Sequence, residues 1–439
     1  MKQRVVFAEK SFLSVLVMVV AGARLAVASP EVDAITNALT LPDAIRLALE
    51  HNPELRASGG RAAAAAGRAK QAGLWPNPEL EFSTEDWPVS SGRGISDAKQ
   101  TIGVAQTLPF PGKKSLDRRI GTAGTKLSDA ELAVRRAEVV RDVKVAFCQV
   151  LVAEQRVGVS AELVRVAESS AATARKRVDA GATPYQEQLR AEIQREQART
   201  EMASMEREVA TARETLVALL GRPDLHAAPV SGSLREKATP ALLERGPETW
   251  LTNHPSSAAA RANLERASLA QRRARLEPYP DVKVGVAGGR IGATDESIIE
   301  LRLSVPLPLL DRSKGRKQEA TAAVTVAEAE LAIVEQRLLR EWRQASQRYR
   351  AAAGQVASYR EQILPKADEA LRLVQLGFEQ GKFGFIDLLD TQRTAAEARL
   401  AYQQKLLELN TAQADIEALL ARGPVEGIQA PELHSAARK

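Results

Sequence analysis

The second half of this chain repeats the first. Residues 74–80 (LWPNPEL) return as 276–282 (LEPYPDV), 107–111 (TLPFP) as 305–309 (VPLPL), 180–192 as 380–392, and 219–223 (LLGRP) as 419–423 (LLARG). Proline, glycine and leucine come back in order at an offset of about 200 residues, so the chain holds two copies of one unit. Two copies are too few for an ordinary solenoid, so they close around something, alone or with further chains. Hydrophobic residues make up 44% of the 439, yet aromatics only 4%. Frequent Ala with Glu, Gln and Arg suits long, closely packed helices better than a compact enzyme core.

The N-terminus carries Lys2 and Arg4, an apolar run over 12–23, then Ala26-Val27-Ala28 before Ser29. This is the pattern of a cleaved secretory leader over residues 1–28. A run of about 12 residues is too short to span a bilayer, which needs about 20. No other stretch qualifies as a transmembrane helix, so any crossing of a membrane by this exported chain must use strands. The net charge of +6 is spread among acids along the helices, which reads as solvated helix faces and not as a nucleic-acid surface. Cys148 is the one cysteine. No disulfide framework is possible within the chain, and a small buried hydrophobe is the plain reading of it.

Each copy has the same grammar. The first copy spans 29–221, a linker 222–247, the second copy 248–422, and a tail 423–439. A first helix is expected over 42–73, with Thr40 as N-cap, and its partner over 248–276; Trp75-Pro76-Asn77-Pro78 and Pro278-Tyr279-Pro280 stop them. Strands follow. Leu80, Phe82 and Thr84 alternate with Glu79, Glu81, Ser83 and Glu85; Ile102, Val104 and Leu108 fall together; Val282, Val284 and Val286 alternate with Asp281, Lys283 and Gly285; Ile299, Leu301, Leu303 and Val305 alternate with Glu300, Arg302 and Ser304. Period-two alternation with charges opposite marks strands between two environments. At about 9–10 residues each, they have the length of tilted membrane strands, although the edge of a soluble sandwich fits the pattern too. Four strands cannot close a barrel around a pore, so membrane strands would require several chains to share one barrel.

Long helices are expected over 113–180 and 313–380, each about 100 Å at 1.5 Å per residue. Gly181 and Gly381 would turn the chain, and return helices would run over 184–220 and 384–421. Thr183, Pro184 and Gln186 suit the N-cap, N1 and N3 of a capping box. First and return helices together match the long helix in length. Stacked end to end they would pair with it, with the linker as an irregular collar near mid-length.

Exported, duplicated, with two strands per copy and long helical hairpins, the chain resembles the TolC-like outer membrane factors over nearly all of its mature length. Residues 39–55 (LTLPDAIRLALEHNPEL), 73–80 (GLWPNPEL) and 106–114 (QTLPFPGKK) look like the heavy-metal (CzcC/CusC-like) branch. The resemblance implies a mixed α/β fold, mainly long helices. A homotrimer would share a 12-stranded transmembrane β-barrel, four strands per chain, continuous with a periplasmic α-helical coiled-coil barrel. It implies a passive exit duct in the outer membrane, docked to a periplasmic adaptor and an inner-membrane pump of the resistance-nodulation-division type. Metal cations are a candidate cargo. A type I protein-secretion outlet shares the fold, and a periplasmic coiled-coil scaffold without a pore is the third reading.

No catalytic constellation and no cofactor motif is visible. His51, His226, His254 and His434 are scattered, and His51 and His254, beside prolines, suit structural or capping roles. The sharper site follows Gln380. Asp387, Asp390, Thr391 and Thr394 share a helix face, with Leu388, Leu389 and Ala396 left for packing. On the resemblance, Asp387 and Asp390 would form carboxylate rings at the periplasmic constriction, a cation-sensitive gate. The alternative is a pair of solvated acids favoured by the helix dipole. Phe378 and Phe383 stand where TolC carries a gating Tyr and Arg, so closure would rest more on apolar contact. The turns with Gly181, Thr183 and Pro184, and with Gly381, Phe383 and Phe385, would be adaptor-docking tips, the phenylalanines exposed as anchors or else packed inside the trimer.

Overall fold

A computed structural model describes residues 38–86, 95–226, 228–237, 243 and 246–420. The leader (1–28), most of the loop after the first strand, Trp87, and the tail 423–439 with His434 lie outside the described residues. The described residues from Leu39 onward form one compact unit that takes in both copies.

Helix α1 (Leu41–His51) is capped by Thr40, and α2 (Pro53–Ala72) by Asn52. The single helix expected over 42–73 therefore breaks, because Pro53 pushes Asn52 out of helical conformation and opens a new helix as its N1 residue. Asn52 also ties this break to the far end of α4 (Tyr185–Leu220): its Nδ2 donates to the Leu219 carbonyl at 2.8 Å, while its Oδ1 accepts from the Glu54 and Leu55 N–H groups. α2 and α4 thus lie end to end along α3 (Lys113–Asp179), whose 67 residues give about 100 Å. Along that seam Ala69 meets Gly121, Glu54 pairs with Arg135, Glu154 with Arg213 at 2.8 Å and Glu168 with Arg199 at 2.7 Å.

The second copy repeats this with differences. The helix expected over 248–276 is two 3₁₀ turns, Pro247–Thr249 and Leu251–Asn253, then α5 (Pro255–Arg275). The long helix is α6 (Lys314–Ser358), a π turn at Tyr359–Ile363 and α7 (Leu364–Glu379). Pro365 has no N–H and its ring would strike the carbonyl four residues back; the wide turn just before it relieves that clash without ending the rod. α8 (Phe385–Leu420) returns.

Salt bridges set the lateral order. Lys126–Glu265 (3.2 Å) and Lys144–Glu417 (2.6 Å) join α3 to α5 and α8; Arg261–Glu335 (3.2 Å) joins α5 to α6; Arg399–Asp368 (2.7 Å) joins α8 to α7. Toward one end the row runs α2, α3, α5, α6; toward the other it runs α4, α3, α8, α7. The best-buried side chains lie mid-length: Val139, Val143 and Val150 of α3, Leu220 of α4, Tyr349 and Val356 of α6, Leu409 and Ile416 of α8. Residues 228–237 of the linker cross this level. Val230 bridges Leu39, Asn410 exchanges two hydrogen bonds with the Arg235 backbone at 3.0 Å, and Arg360 of the π turn donates to the Glu236 carbonyl.

The strands β1 (Glu79–Glu85), β2 (Lys99–Leu108), β3 (Val282–Ile291) and β4 (Glu296–Ser304) form one antiparallel sheet in that order, joining the two copies through β2 and β3. β1 and β4 are its free edges.

Candidate functional site

The sheet has two faces of opposite chemistry. On one stand Leu80, Phe82, Ile102, Val104, Val284, Val286, Ile299, Leu301 and Leu303, all exposed, Leu301 at 86%. Such a contiguous apolar surface is not tolerated in water and matches a lipid-facing band. The other face carries charges at the edges above a floor of Gly103, Ala105, Gly285 and Ala287. Lys283 binds Glu79 and Glu81 at 2.8 and 2.6 Å, and Arg302 binds Glu300 at 2.9 Å and reaches Glu81 at 3.2 Å. Lys99 joins Glu85 to Glu300. Arg302 lies on β4 and Glu81 on β1. Their contact across two intervening strands means that the charged face is concave, and the small floor residues leave room for it.

At the opposite end the helical hairpins turn. Asp179 and Glu379 end their helices in the same way: Gly181 (φ 68°) and Gly381 (φ 73°) adopt the left-handed conformation, and the next N–H bonds back to the carbonyls of Arg177 (2.8 Å) and Gly377 (2.7 Å). This is a Schellman cap at both tips, as the glycines imply. The return helices start differently. α4 begins at Tyr185 with Pro184 as N-cap, and the Thr183 hydroxyl is buried without a partner. The capping box expected from Thr183 does not form, because the helix starts one residue later than that box requires. In the second copy the Asp387 carboxylate reaches back to accept the Gly384 N–H at 2.9 Å. Asp387 is thus a helix-start acid with one oxygen engaged, stabilised by the dipole. Asp390 is exposed, 3.5 Å from Arg393, and the Thr391 and Thr394 hydroxyls bond back to the carbonyls of Asp387 and Asp390.

The three phenylalanines do three things. Phe385 is 5% exposed, buried among Ala171, Ala174 and Ala191, so it is not the exposed anchor its loop position suggested. Being the first residue of α8, it is aimed back onto α3. Phe378 lies 6.1 Å from it, ring to ring, with the Arg177 guanidinium 5.2 Å above its face. This cation–π contact ties the two hairpins at the tip. Phe383 is 45% exposed and its ring lies on Gly377, where any Cβ would stand 2.1 Å from it. A cleft of about 480 Å³ between α3, α7 and α8 is lined by Ser169, Thr173, Arg177, Gln375, Leu388 and Gln392.

Sequence reasoning missed the Arg177–Phe378 contact, since nothing local pairs residues so far apart. His254 caps α5, its Nδ1 accepting from the Ser256 N–H at 3.1 Å, and burial holds it neutral, its pKa pushed down to about 4. Burial pushes the Cys148 thiol up to about 11, so it is a packed thiol rather than a reactive one. Among the described residues no three His, Cys, Asp or Glu side chains cluster as metal ligands, and no helix is long and apolar enough to cross a membrane.

Known proteins share this architecture. The chain is 29% identical over 387 residues to the cobalt-zinc-cadmium resistance protein CzcC of Cupriavidus metallidurans, covering 88% of this chain and 90% of that one. It is 26% identical to the nickel-cobalt-cadmium resistance protein NccC of Alcaligenes xylosoxydans, over 64% of this chain and 63% of that one. A membrane protein from Pseudomonas aeruginosa superposes with a TM-score of 0.76 at 21% identity, covering 87% of this chain and 93% of that one. The channel CusC superposes at 0.75 and 16%, covering 87% and 92%. The family of outer membrane efflux proteins matches residues 44–222 and 246–422, the two copies of the repeat. With that match, an apolar sheet face at one end and long helical hairpins at the other, the chain belongs to the outer membrane efflux protein family, a TolC-like channel protein of the bacterial outer membrane with a long periplasmic helical extension.

Proposed function

We propose that three copies of this chain form the exit duct of a tripartite efflux system. The observation that carries this reading is the sheet: four strands, an exposed apolar face, a concave charged face and two unpaired edges. In hydrocarbon every backbone polar group must be paired, so an open sheet crosses a membrane only as part of a closed barrel. Three sheets joined edge to edge give 12 strands, with the charged face as lumen lining and the helices continuing the tunnel into the periplasm. The chain then conducts passively what an inner-membrane pump and a periplasmic adaptor deliver. The names of the curated relatives, resistance proteins for cobalt, zinc, cadmium and nickel, support divalent metal cations as the cargo, and a resistance-nodulation-division pump is the engine that the TolC-like resemblance implies.

In this duct Asp387 and Asp390 of three chains gather as carboxylate rings at the periplasmic tip, where crowded acids attract cations. The Phe378–Arg177 contact and the Phe383 ring on Gly377 hold the tip closed. The turns bearing Gly181, Thr183, Pro184, Gly381 and Phe383 meet the adaptor. The test is single-channel conductance of detergent-purified protein in planar bilayers. A small conductance blocked by zinc, with block relieved in Asp387→Asn plus Asp390→Asn, is the expected result. A folded protein that never conducts overturns the duct; zinc block unchanged by the double substitution overturns the aspartate gate.

A further inference from the structure

The charges on the concave face of the sheet are ordered. Glu79, Glu81 and Glu85 of β1 and Glu300 of β4 stand on it, with Lys99 of β2, Lys283 of β3 and Arg302 of β4. Each base bridges two glutamates. Lys283 lies 2.8 Å from Glu79 and 2.6 Å from Glu81; Arg302 lies 3.2 Å from Glu81 and 2.9 Å from Glu300; Lys99 lies 2.8 Å from Glu85 and also meets Glu300. The side chains therefore run as one alternating chain: Glu79, Lys283, Glu81, Arg302, Glu300, Lys99, Glu85. Arg302 is pinned further, donating to the Thr101 hydroxyl at 2.9 Å. Glu296, at the loop end of β4, is the one acid of the four strands without an ion pair among the described residues. The helical tip differs: the Asp390 side chain is 70% exposed, and its nearest base is 3.5 Å away.

We propose that Lys99, Lys283 and Arg302 keep the barrel from retaining divalent cations, by occupying the glutamates that would otherwise bind them. The inference rests on the cation duct proposed above and names the residues that let its cargo leave. Carboxylate oxygens are ready ligands for divalent cations, and three sheets would line the lumen with three sets of these glutamates. A duct conducts only when its sites are weak enough to be left. Here a cation seeking a carboxylate must first displace a base already at salt-bridge distance, and that base repels it. Stability alone is a poor reason for the arrangement, because ion pairs open to solvent add little of it. The ends of the duct then do different work. Exposed acid at the tip draws cations in, and matched charge in the barrel lets them go.

The experiment is zinc block of single channels formed by the full chain in planar bilayers, with zinc chloride added on the barrel side. Asp387→Asn plus Asp390→Asn is the background, so that zinc passing through to the tip is not read. Lys99→Gln plus Lys283→Gln leaves Glu79 and Glu85 without a base, and leaves Arg302 on Glu81 and Glu300. The zinc concentration for half block should fall at least about tenfold, since each freed glutamate loses a cation at salt-bridge distance. Adding Glu79→Gln and Glu85→Gln removes the freed acids and should return half block to the background value. Lys283→Gln, with and without Glu79→Gln, makes the same comparison on one bridge where the double substitution does not assemble. Half block unchanged in a conducting lysine variant overturns the inference and leaves the bases a purely structural role. A lowered half block that persists after the glutamates are replaced overturns it too, because the acids are then not the ligands. A folded background protein that never conducts overturns the duct, and the inference with it.

Discussion

Phe385→Ala removes the large buried side chain from a cluster at the tip whose other buried members are alanines, with Phe378 and Leu389 packed against it. Phe385 is 5% exposed, and its neighbours Ala171, Ala174 and Ala191 sit on two different helices that cannot both move in to fill the space. Buried Phe→Ala substitutions cost about 3–5 kcal/mol, and the Phe378 ring 6.1 Å away loses its aromatic partner. The tip is the end of the rods and relaxes more easily than the middle, so the low value, about 3 kcal/mol, applies. The loss falls on local opening of the hairpin rather than on the whole fold, because the best-buried residues lie mid-length. Amide hydrogen exchange around residues 374–392 should therefore quicken roughly 100-fold, at about 1.4 kcal/mol per tenfold. Peptides around Val143 and Leu409 should keep their protection. Phe385→Leu, which keeps most of the volume, should change exchange by less than about tenfold. Tip exchange within about threefold of the parent protein in Phe385→Ala would refute the reasoning, since the ring would then contribute nothing to holding the hairpins together.

Gly377→Ala should expel the Phe383 ring, which has no room for a Cβ beneath it, and trypsin should then cut faster after the adjacent Lys382. Leu301→Arg, on the apolar sheet face, should cost about 2–4 kcal/mol at the bilayer midplane and prevent heat-stable assembly in membranes, whereas Glu300→Gln, next to it on the concave face, should assemble and change only conductance. His254 is held neutral by burial, with a folded pKa of about 4 against about 6.5 unfolded. The unfolded chain therefore binds the proton first. This contribution to stability is complete above about pH 6.5, falls as pH drops toward 4, and does not change further below that. His254→Asn keeps an N-cap acceptor and should flatten this part of the stability–pH curve in chemical denaturation.

What the sequence exposes and what it hides divide along a physical line. The sheet was legible because period-two alternation reports two environments directly: the residues grouped by alternation, Leu80 with Phe82 and Ile299 with Leu301 and Leu303, stand on the apolar face, and Glu81 and Arg302 on the charged one. The hairpin turns were legible because Gly181 and Gly381 hold a backbone conformation other residues resist. The breaks were written in the chain at Asn52-Pro53 and ahead of Pro365, but a hydrophobic period carried across them hides a one-residue kink or a single wide turn. Curvature was beyond reach, because only a bent sheet lets Arg302 meet Glu81 across β2 and β3, and no local pattern encodes the bend. Phe385 is the most instructive case. Its neighbourhood, GKFGF, reads as an exposed aromatic loop, and Thr183-Pro184-Tyr185 in the first copy reads the same way. The structure buries one ring and leaves the other open, at equivalent positions of one repeat. Identical local grammar thus has two outcomes, and the difference is where each helix stands in the row: α8 has α3 beside it, and α4 stands at the edge. Burial at the tip is a property of neighbours, and within the chain α4 has a long helix, α3, on one side only.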